Sequence, residues 1–109
     1  EEADHSLPIT MGNEIHRMGS RLKTMDKSSH AVKVLNNRLE KLEETINDKG
    51  YEIVDLEGKP FNDGMTIQAH FVSDSNLNDG ESVISRAIKP QINFKGKLIQ
   101  AAEVEVSQG

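Results

Sequence analysis

The sequence predicts an α+β protein in which a long N-terminal helix, similar to a coiled coil, precedes a small antiparallel β-domain. Residues 10–48 contain no Pro and space their apolar residues three and four apart, which is the heptad spacing of an amphipathic helix. From Tyr51 onward, apolar and polar residues alternate as in strands with one buried face. We therefore expect a disordered tail at residues 1–9, a helical dimerisation stalk at 10–49 and an all-β domain at 50–109.

The apolar stripe of the predicted helix has no partner within the helix itself. A lone helix of this length cannot bury such a stripe, so we expect a homodimer, most simply a two-chain coil. The candidate dimerisation residues are Ile15, Met18, Leu22, Met25, Val32, Leu35, Leu39, Leu42 and Ile46.

The stripe is interrupted at residues 26–30, where Ser28, Ser29 and His30 replace apolar residues and the heptad phase changes. This pattern fits either a local kink in one helix or a turn between two helices. We favour the unbroken helix because neither Gly nor Pro occurs in this segment. Gly50 is the predicted end of the helix.

The β-region contains several short strand patterns separated by turn residues. Strands are expected at residues 51–54, 65–71, 83–88, 92–94 and 97–106. Ser85 and Arg86 interrupt the alternation in the third of these, which predicts a bulge. Lys95 and Gly96 predict a tight hairpin turn before the closing strand.

Composition excludes several classes of function. The 109 residues include 13 Lys and Arg against 18 Asp and Glu, for a net charge of −5, and no Cys. An acidic chain lacks the electrostatic footprint of a nucleic-acid binder, and disulfides and thiolate metal sites are ruled out. No apolar run approaches the roughly 20 residues of a membrane span and no signal-peptide core is present, so we expect no membrane association and a cytoplasmic location. Because the chain starts at Glu1, we expect it to be a fragment of a longer protein.

The sequence contains no convincing catalytic or metal-binding motif. The four His residues lack the spacing that places two imidazoles on one helical face. Asp74, Asn76 and Asn78 are spaced like the start of a calcium loop, but the sixth and twelfth positions are Asp79 and Ser85 instead of Gly and Glu. We therefore expect no enzymatic activity, no metal and no cofactor.

Three motifs in the β-region resemble a known family. Residues 50–54 read Gly-Tyr-Glu-Ile-Val, residues 58–62 read Gly-Lys-Pro-Phe-Asn, and residues 96–106 read Gly-Lys-Leu-Ile-Gln-Ala-Ala-Glu-Val-Glu-Val. Their order and spacing resemble those of GrpE, the nucleotide exchange factor of DnaK-type chaperones. The family has Gly-Val-x-x-Ile, Gly-x-Pro-Phe-Asp and Gly-x-x-Ile-Arg-x-Ala-x-Val-x-Val at these places.

The resemblance implies a homodimeric cochaperone whose paired helices project two β-domains. One β-domain would bind the nucleotide-binding domain of a DnaK-type chaperone and open its cleft, so that ADP leaves faster through selection of an open state. The family's exposed apolar hairpin residue falls between Arg86 and Ile88 here. The implied partner-binding residues are Arg86, Ile88, Lys89 and Pro90.

Other interpretations of these residues stay open. Ile88 could pack in the core, Lys89 could be a solvated strand residue, and Pro90 could mark an edge strand or a bulge. The chain departs from the family pattern at Thr66, at Gln100 and in the hairpin. These departures leave a second function open, that of a dimeric coiled-coil adaptor or structural protein that docks another partner through a GrpE-like β-domain.

Overall fold

A computed structural model of the protein describes residues 4–109, which form two helices and six strands in two sheets. The helices are α1 (Ser6–Leu22) and α2 (His30–Asp48). The strands are β1 (Tyr51–Val54), β2 (Ile67–Ser73), β3 (Ser82–Lys89), β4 (Gln91–Phe94), β5 (Lys97–Gln100) and β6 (Ala102–Gln108). α1 begins within the segment for which the sequence predicts a disordered tail, and residues 1–3 of that segment lie outside the described residues.

The prediction of one long coiled-coil-like helix is wrong. The helical region consists of two helices of 17 and 19 residues that pack against each other as a hairpin. At 1.5 Å per residue neither exceeds about 30 Å, so the expected elongated stalk does not form.

Side chains of the connecting turn explain the break between the helices. Thr24 Oγ1 donates a hydrogen bond to the Arg21 carbonyl at 2.7 Å, beside the end of α1. Asp26 Oδ1 accepts the Ser28 backbone N–H at 2.9 Å and the Ser28 hydroxyl at 2.7 Å. Ser29 then has extended backbone dihedrals and is the residue before α2. Short polar side chains that bond to nearby backbone groups can end a helix without Gly or Pro.

The first sheet joins β1, β4 and β5 in an antiparallel arrangement and carries the helical hairpin. One buried cluster consists of Ile15, Ile46, Tyr51 and Ile92, so both helices share a core with this sheet. α1 approaches closely at Gly12, where an added Cβ would lie 3.0 Å from the Cδ1 atom of Ile92. The helices therefore lie on the β-region instead of projecting from it.

The second sheet joins β2, β6 and β3 in that order, and it is not purely antiparallel as predicted. β2 pairs with β6 in parallel and β3 pairs with β6 in antiparallel orientation. Ala102, Val104 and Val106 of β6 are fully buried and form a second core with Leu56 and Ile84. Alternation identifies the buried face of a strand but not the direction of its neighbour, which is why the sequence did not reveal the parallel pair.

The turn and bulge predictions are confirmed. Lys95 and Gly96 connect β4 to β5 with positive φ angles of 49° and 81°, as a two-residue hairpin loop requires. The pairing of β3 with β6 shifts in register after Ile84 and again after Ala87. The predicted closing strand at 97–106 is divided at Ala101, where the chain passes from the first sheet to the second.

The described chain is flat, with principal extents of 46, 42 and 16 Å and a radius of gyration of 15.7 Å. A compact chain of this length has a radius of gyration of about 13 Å. Because the two sheets and the hairpin spread sideways, one side of the helices has no layer above it. Neither described helix is long and apolar enough to cross a membrane.

Candidate functional site

The four residues predicted to bind a partner lie where the chain passes from the second sheet to the first. β3 ends at Lys89, β4 begins at Gln91, and Pro90 lies between them. Pro90 is fully buried, and its carbonyl accepts a hydrogen bond of 2.9 Å from Gln100 Nε2. Pro90 therefore lies beneath the surface, as a residue that shapes this corner.

Ile88 lies on the surface because of the second register shift in β3. Ala87 pairs with Val104 and Lys89 pairs with Glu103, so Ile88 is an extra residue without a partner on β6. Bulged residues leave the regular alternation of a strand, and bulges can aim a side chain in a new direction. Ile88 is 38% exposed, whereas Ile84 of the same strand is fully buried.

Cationic side chains flank Ile88. Lys89 is exposed, and the Arg86 side chain is 66% exposed with its Nη1 atom 3.5 Å from Glu105 Oε2 on β6. An exposed ion pair of this kind contributes little to stability and exchanges readily for another partner. Arg86, Ile88 and Lys89 thus form an exposed surface with an apolar centre and a basic border, which we call the β3 surface.

A cleft of about 740 Å³ separates the β3 surface from α1. One wall is the C-terminal half of α1 with the residues that follow it, and the other is the end of β3. The lining residues are His16, Arg17, Ser20, Arg21, Lys23, Thr24, Glu57, Arg86, Ala87 and Ile88. Nothing in the spacing of the sequence indicated that the helix and the strand would face each other.

Behind the cleft, Asp55 holds α1 to the β-region through charged contacts. Its Oδ2 atom lies 3.4 Å from Lys23 Nζ and 3.4 Å from His16 Nε2. The contact with Lys23 is a hydrogen bond, but the buried His16 Nε2 has no hydrogen-bond partner and is not aligned with the carboxylate. The His16 side chain is only 7% exposed, so this nitrogen faces Asp55 and not the open cleft.

The pKa of the Asp55 carboxyl lies below its ordinary value. Burial alone raises this pKa, but the Glu57 backbone N–H, which donates to Oδ1 at 2.9 Å, and the charges of His16 and Lys23 overcome that effect. Hydrogen bonds and opposite charges that stabilise a carboxylate lower its pKa. Asp55 is therefore an ionised contact in the folded protein at neutral pH.

The nine predicted dimerisation residues divide into two groups. Ile15, Leu22, Val32 and Ile46 are buried within this chain, and Leu39 is half-buried against the cluster between the hairpin and the first sheet. Met18, Leu35 and Leu42 on the helices and Met25 in the turn after α1 are 40–49% exposed. Leu7 and Met11 are also exposed and extend the α1 series, since positions 11, 18 and 25 are each seven residues apart. We call Leu7, Met11, Met18, Met25, Leu35 and Leu42 the open helix face.

The residues considered for calcium and metal binding lie in a local turn and in a strand pair. Within residues 4–109, no three side chains of the metal-binding types come together as a metal site. Asp74 instead accepts the Asn76 backbone N–H at 2.9 Å in a local turn. His70 pairs with Glu103 at 2.9 Å across neighbouring strands.

Comparison with known proteins adds no relative to this picture. No protein-family model matches the chain, and no curated protein matches it either.

Proposed function

We propose that this protein is a GrpE-like cochaperone that acts in the cytoplasm as a homodimer. In this proposal it binds the nucleotide-binding domain of a DnaK-type chaperone and promotes ADP release. The observation that carries the proposal is the β3 surface, in which the bulged Ile88 is exposed between Arg86 and Lys89. A central apolar side chain within a polar border is the usual composition of a protein-binding surface.

The glycines that begin the three motifs lie at positions where the backbone favours glycine. Gly50, Gly58 and Gly96 begin the three GrpE-like motifs, and all three have positive φ angles, of 97°, 87° and 81°. Residues with a Cβ rarely adopt this backbone region, so each motif glycine meets a conformational requirement of the chain. The shared motifs therefore belong to turns that shape the β-region, and the functional part of the proposal depends on the β3 surface.

The proposed mechanism is selection of one conformation of the partner. A surface that binds the open nucleotide cleft more tightly than the closed cleft raises the population of the open form. The ADP then leaves faster without any bond being made or broken. A tenfold acceleration corresponds to about 1.4 kcal/mol off the barrier to release.

The proposal predicts that Ile88→Asp abolishes exchange activity. The substitution places a charge at the apolar centre of the β3 surface, where docking would remove it from water. Release of fluorescent ADP from the DnaK-type chaperone of the same source should accelerate about tenfold or more with the native protein and not with Ile88→Asp.

Leu98→Asp is a matched control for this experiment. Leu98 is 40% exposed, close to the 38% of Ile88, but it lies on β5 of the other sheet. The control variant should keep full activity, and circular dichroism should show both variants folded. If the chaperone releases ADP as fast with Ile88→Asp as with the native protein, the β3 surface is not the docking site. If the native protein neither speeds ADP release nor binds the chaperone, the adaptor function is favoured instead.

A further inference from the structure

The cleft between α1 and β3 has a charge opposite to that of the whole chain. The protein carries a net charge of −5, yet three of its four arginines, together with Lys23, line this cleft. Among residues 4–109, Glu57 is the only acidic residue that lines the cleft. Cations that converge from two separate elements attract an anionic ligand. The size of the cleft limits that ligand to one of small cross-section.

The three arginines are accessible to a ligand. Arg17 is 74% exposed and pairs only with Glu14, one helical turn away, at 3.1 Å. Arg86 pairs with Glu105 from the other wall at 3.5 Å, and Arg21 makes no ion pair with any residue from 4 to 109. Exposed ion pairs are weak, and a guanidinium presents a planar fork of donors that matches a carboxylate.

The wall of the cleft formed by β3 offers an unpaired strand edge and an apolar side chain. β3 is an edge strand of its sheet, and residues 58–60 cover its outer edge only near Val83 and Ile84. Beyond Ile84 no described strand pairs with that edge, and Ala87 and Ile88 line the cleft there. An uncovered strand edge beside pockets for side chains is suited to an extended peptide.

We infer that this cleft binds a short extended acidic segment of a partner protein, with carboxylates placed toward Arg17, Arg21 and Arg86 and an apolar side chain placed on Ile88. The inference deepens the proposed function and rests on it for the identity of the partner, since the segment is then expected on the chaperone's nucleotide-binding domain. A nucleic acid fits less well, because an apolar contact and a strand edge give it no partner and the rest of the chain is acidic.

The direct test uses a fluorescent synthetic peptide of Asp and Glu residues around a central Leu, and a matched peptide with Asn and Gln in their place. Fluorescence anisotropy should show that the native protein binds the acidic peptide about tenfold or more tightly than the neutral one. Arg21→Glu and Arg17→Glu should each weaken binding at least tenfold, and raising the salt to about 150 mM should weaken it as well.

Arg38→Glu is the matched control, since Arg38 is an exposed arginine on α2 that does not line the cleft and its reversal changes the net charge equally. It should leave the affinity within about twofold. Thermal unfolding checks that each variant is folded. Equal binding of both peptides, or equal losses in Arg21→Glu, Arg17→Glu and Arg38→Glu, would overturn the inference. Displacement of the peptide by a single-stranded oligonucleotide at equal concentration would overturn the assignment to a protein segment.

The same variants separate this inference from the proposed function. If the native protein speeds ADP release and Arg21→Glu and Arg17→Glu do so equally well, the exchange function stands and the cleft is not its acidic contact. If the native protein binds the peptide but leaves ADP release unchanged, the cleft stands and the chaperone is not its partner.

Discussion

Asp55 links α1 and the residue after it to the connection that follows β1. Its carboxylate contacts Lys23 Nζ and His16 Nε2 at 3.4 Å each and accepts the Glu57 backbone N–H. Its pKa is lowered from 3.8 because these contacts outweigh the effect of burial. The folded state therefore holds the Asp55 proton less tightly than the unfolded state does. The free energy of unfolding consequently rises with pH between the lowered pKa of the folded state and the ordinary pKa of 3.8.

We predict that Asp55→Asn removes part of the acid dependence of stability. The contribution of the ionised Asp55 is fully present above pH 3.8 and is lost as the pH falls through the lowered pKa of the folded state. In urea unfolding, the variant should be less stable than the native protein near neutral pH, and the difference should shrink as the pH falls below 3.8. Asp63→Asn, an exposed loop position, is the control. A difference that stays constant across this pH range would contradict the prediction.

Residues 88–90 show what the sequence can and cannot predict at a single position. The resemblance placed Ile88, Lys89 and Pro90 together as contact residues, and they are adjacent in the structure. Their burial nevertheless differs completely, since Ile88 is exposed and Pro90 is fully buried. The difference arises from the second bulge in β3 and from the passage between sheets, and both depend on pairing with β6, which the local sequence does not encode.

At the scale of elements, a pair of amide side chains fixes α1 to the first sheet. Gln100 Nε2 donates to Asn13 Oδ1 at 2.7 Å, and Asn13 Nδ2 donates back to Gln100 Oε1 at 3.2 Å. Gln100 Nε2 also donates to the Pro90 carbonyl at 2.9 Å. Gln100 therefore connects α1, the first sheet and the turn at Pro90.

We predict a coupling energy of about 1 kcal/mol between Asn13 and Gln100, because two partly buried hydrogen bonds join them. The measurement is a double-mutant cycle of Asn13→Ala and Gln100→Ala in urea unfolding. Gln100→Ala alone should cost more than Asn13→Ala, since it also leaves the Pro90 carbonyl without its donor. A matched cycle on Gln91 and Asn93, whose mutual hydrogen bond lies within β4, is the control. Additive effects of Asn13→Ala and Gln100→Ala would show that the pair is not coupled.

The elements were predictable to the extent that local signals define them. The turn at Lys95 and Gly96, the bulge after Ile84 and the end of α2 before Gly50 follow from residue types that favour one backbone conformation. The break between the helices has a local cause as well, because Asp26 bonds to the backbone and hydroxyl of Ser28, and such bonds end a helix without Gly or Pro. The parallel pairing of β2 with β6 had no local signal, because 28 residues lie between the end of β2 and the start of β6.

At the scale of the whole molecule, the open helix face leaves six large apolar side chains exposed. The heptad spacing predicts one seam between chains that combines Met18, Met25, Leu35 and Leu42 of this face with the buried Ile15, Leu22, Val32 and Ile46. In the structure, Ile15 and Ile46 pack against the first sheet, and Leu22 and Val32 are buried within the same chain. Heptad spacing indicates that a helix has an apolar stripe, but it does not say whether a sheet or another chain covers it.

We predict that the open helix face forms the contact of the proposed homodimer, with the helical hairpins of two copies packed against each other. A two-fold contact uses the same face twice, so one substitution removes two contacts. Leu35 is 49% exposed. Burying this exposed part of the side chain contributes about 1 kcal/mol per copy to association, or about 2 kcal/mol per dimer. Leu35→Glu should therefore raise the dimer dissociation constant by about thirtyfold or more in sedimentation equilibrium.

Val72→Glu provides the control for Leu35→Glu, since Val72 is 42% exposed but lies on β2, away from the helices. It should leave the dimer unchanged. The open helix face and the β3 surface are separate. Leu35→Glu should therefore still bind the acidic peptide in the cleft, and Ile88→Asp should still dimerise. A native protein that sediments as a monomer at tens of micromolar would contradict the homodimer. Peptide binding by that monomer would show that the cleft acts without a second copy.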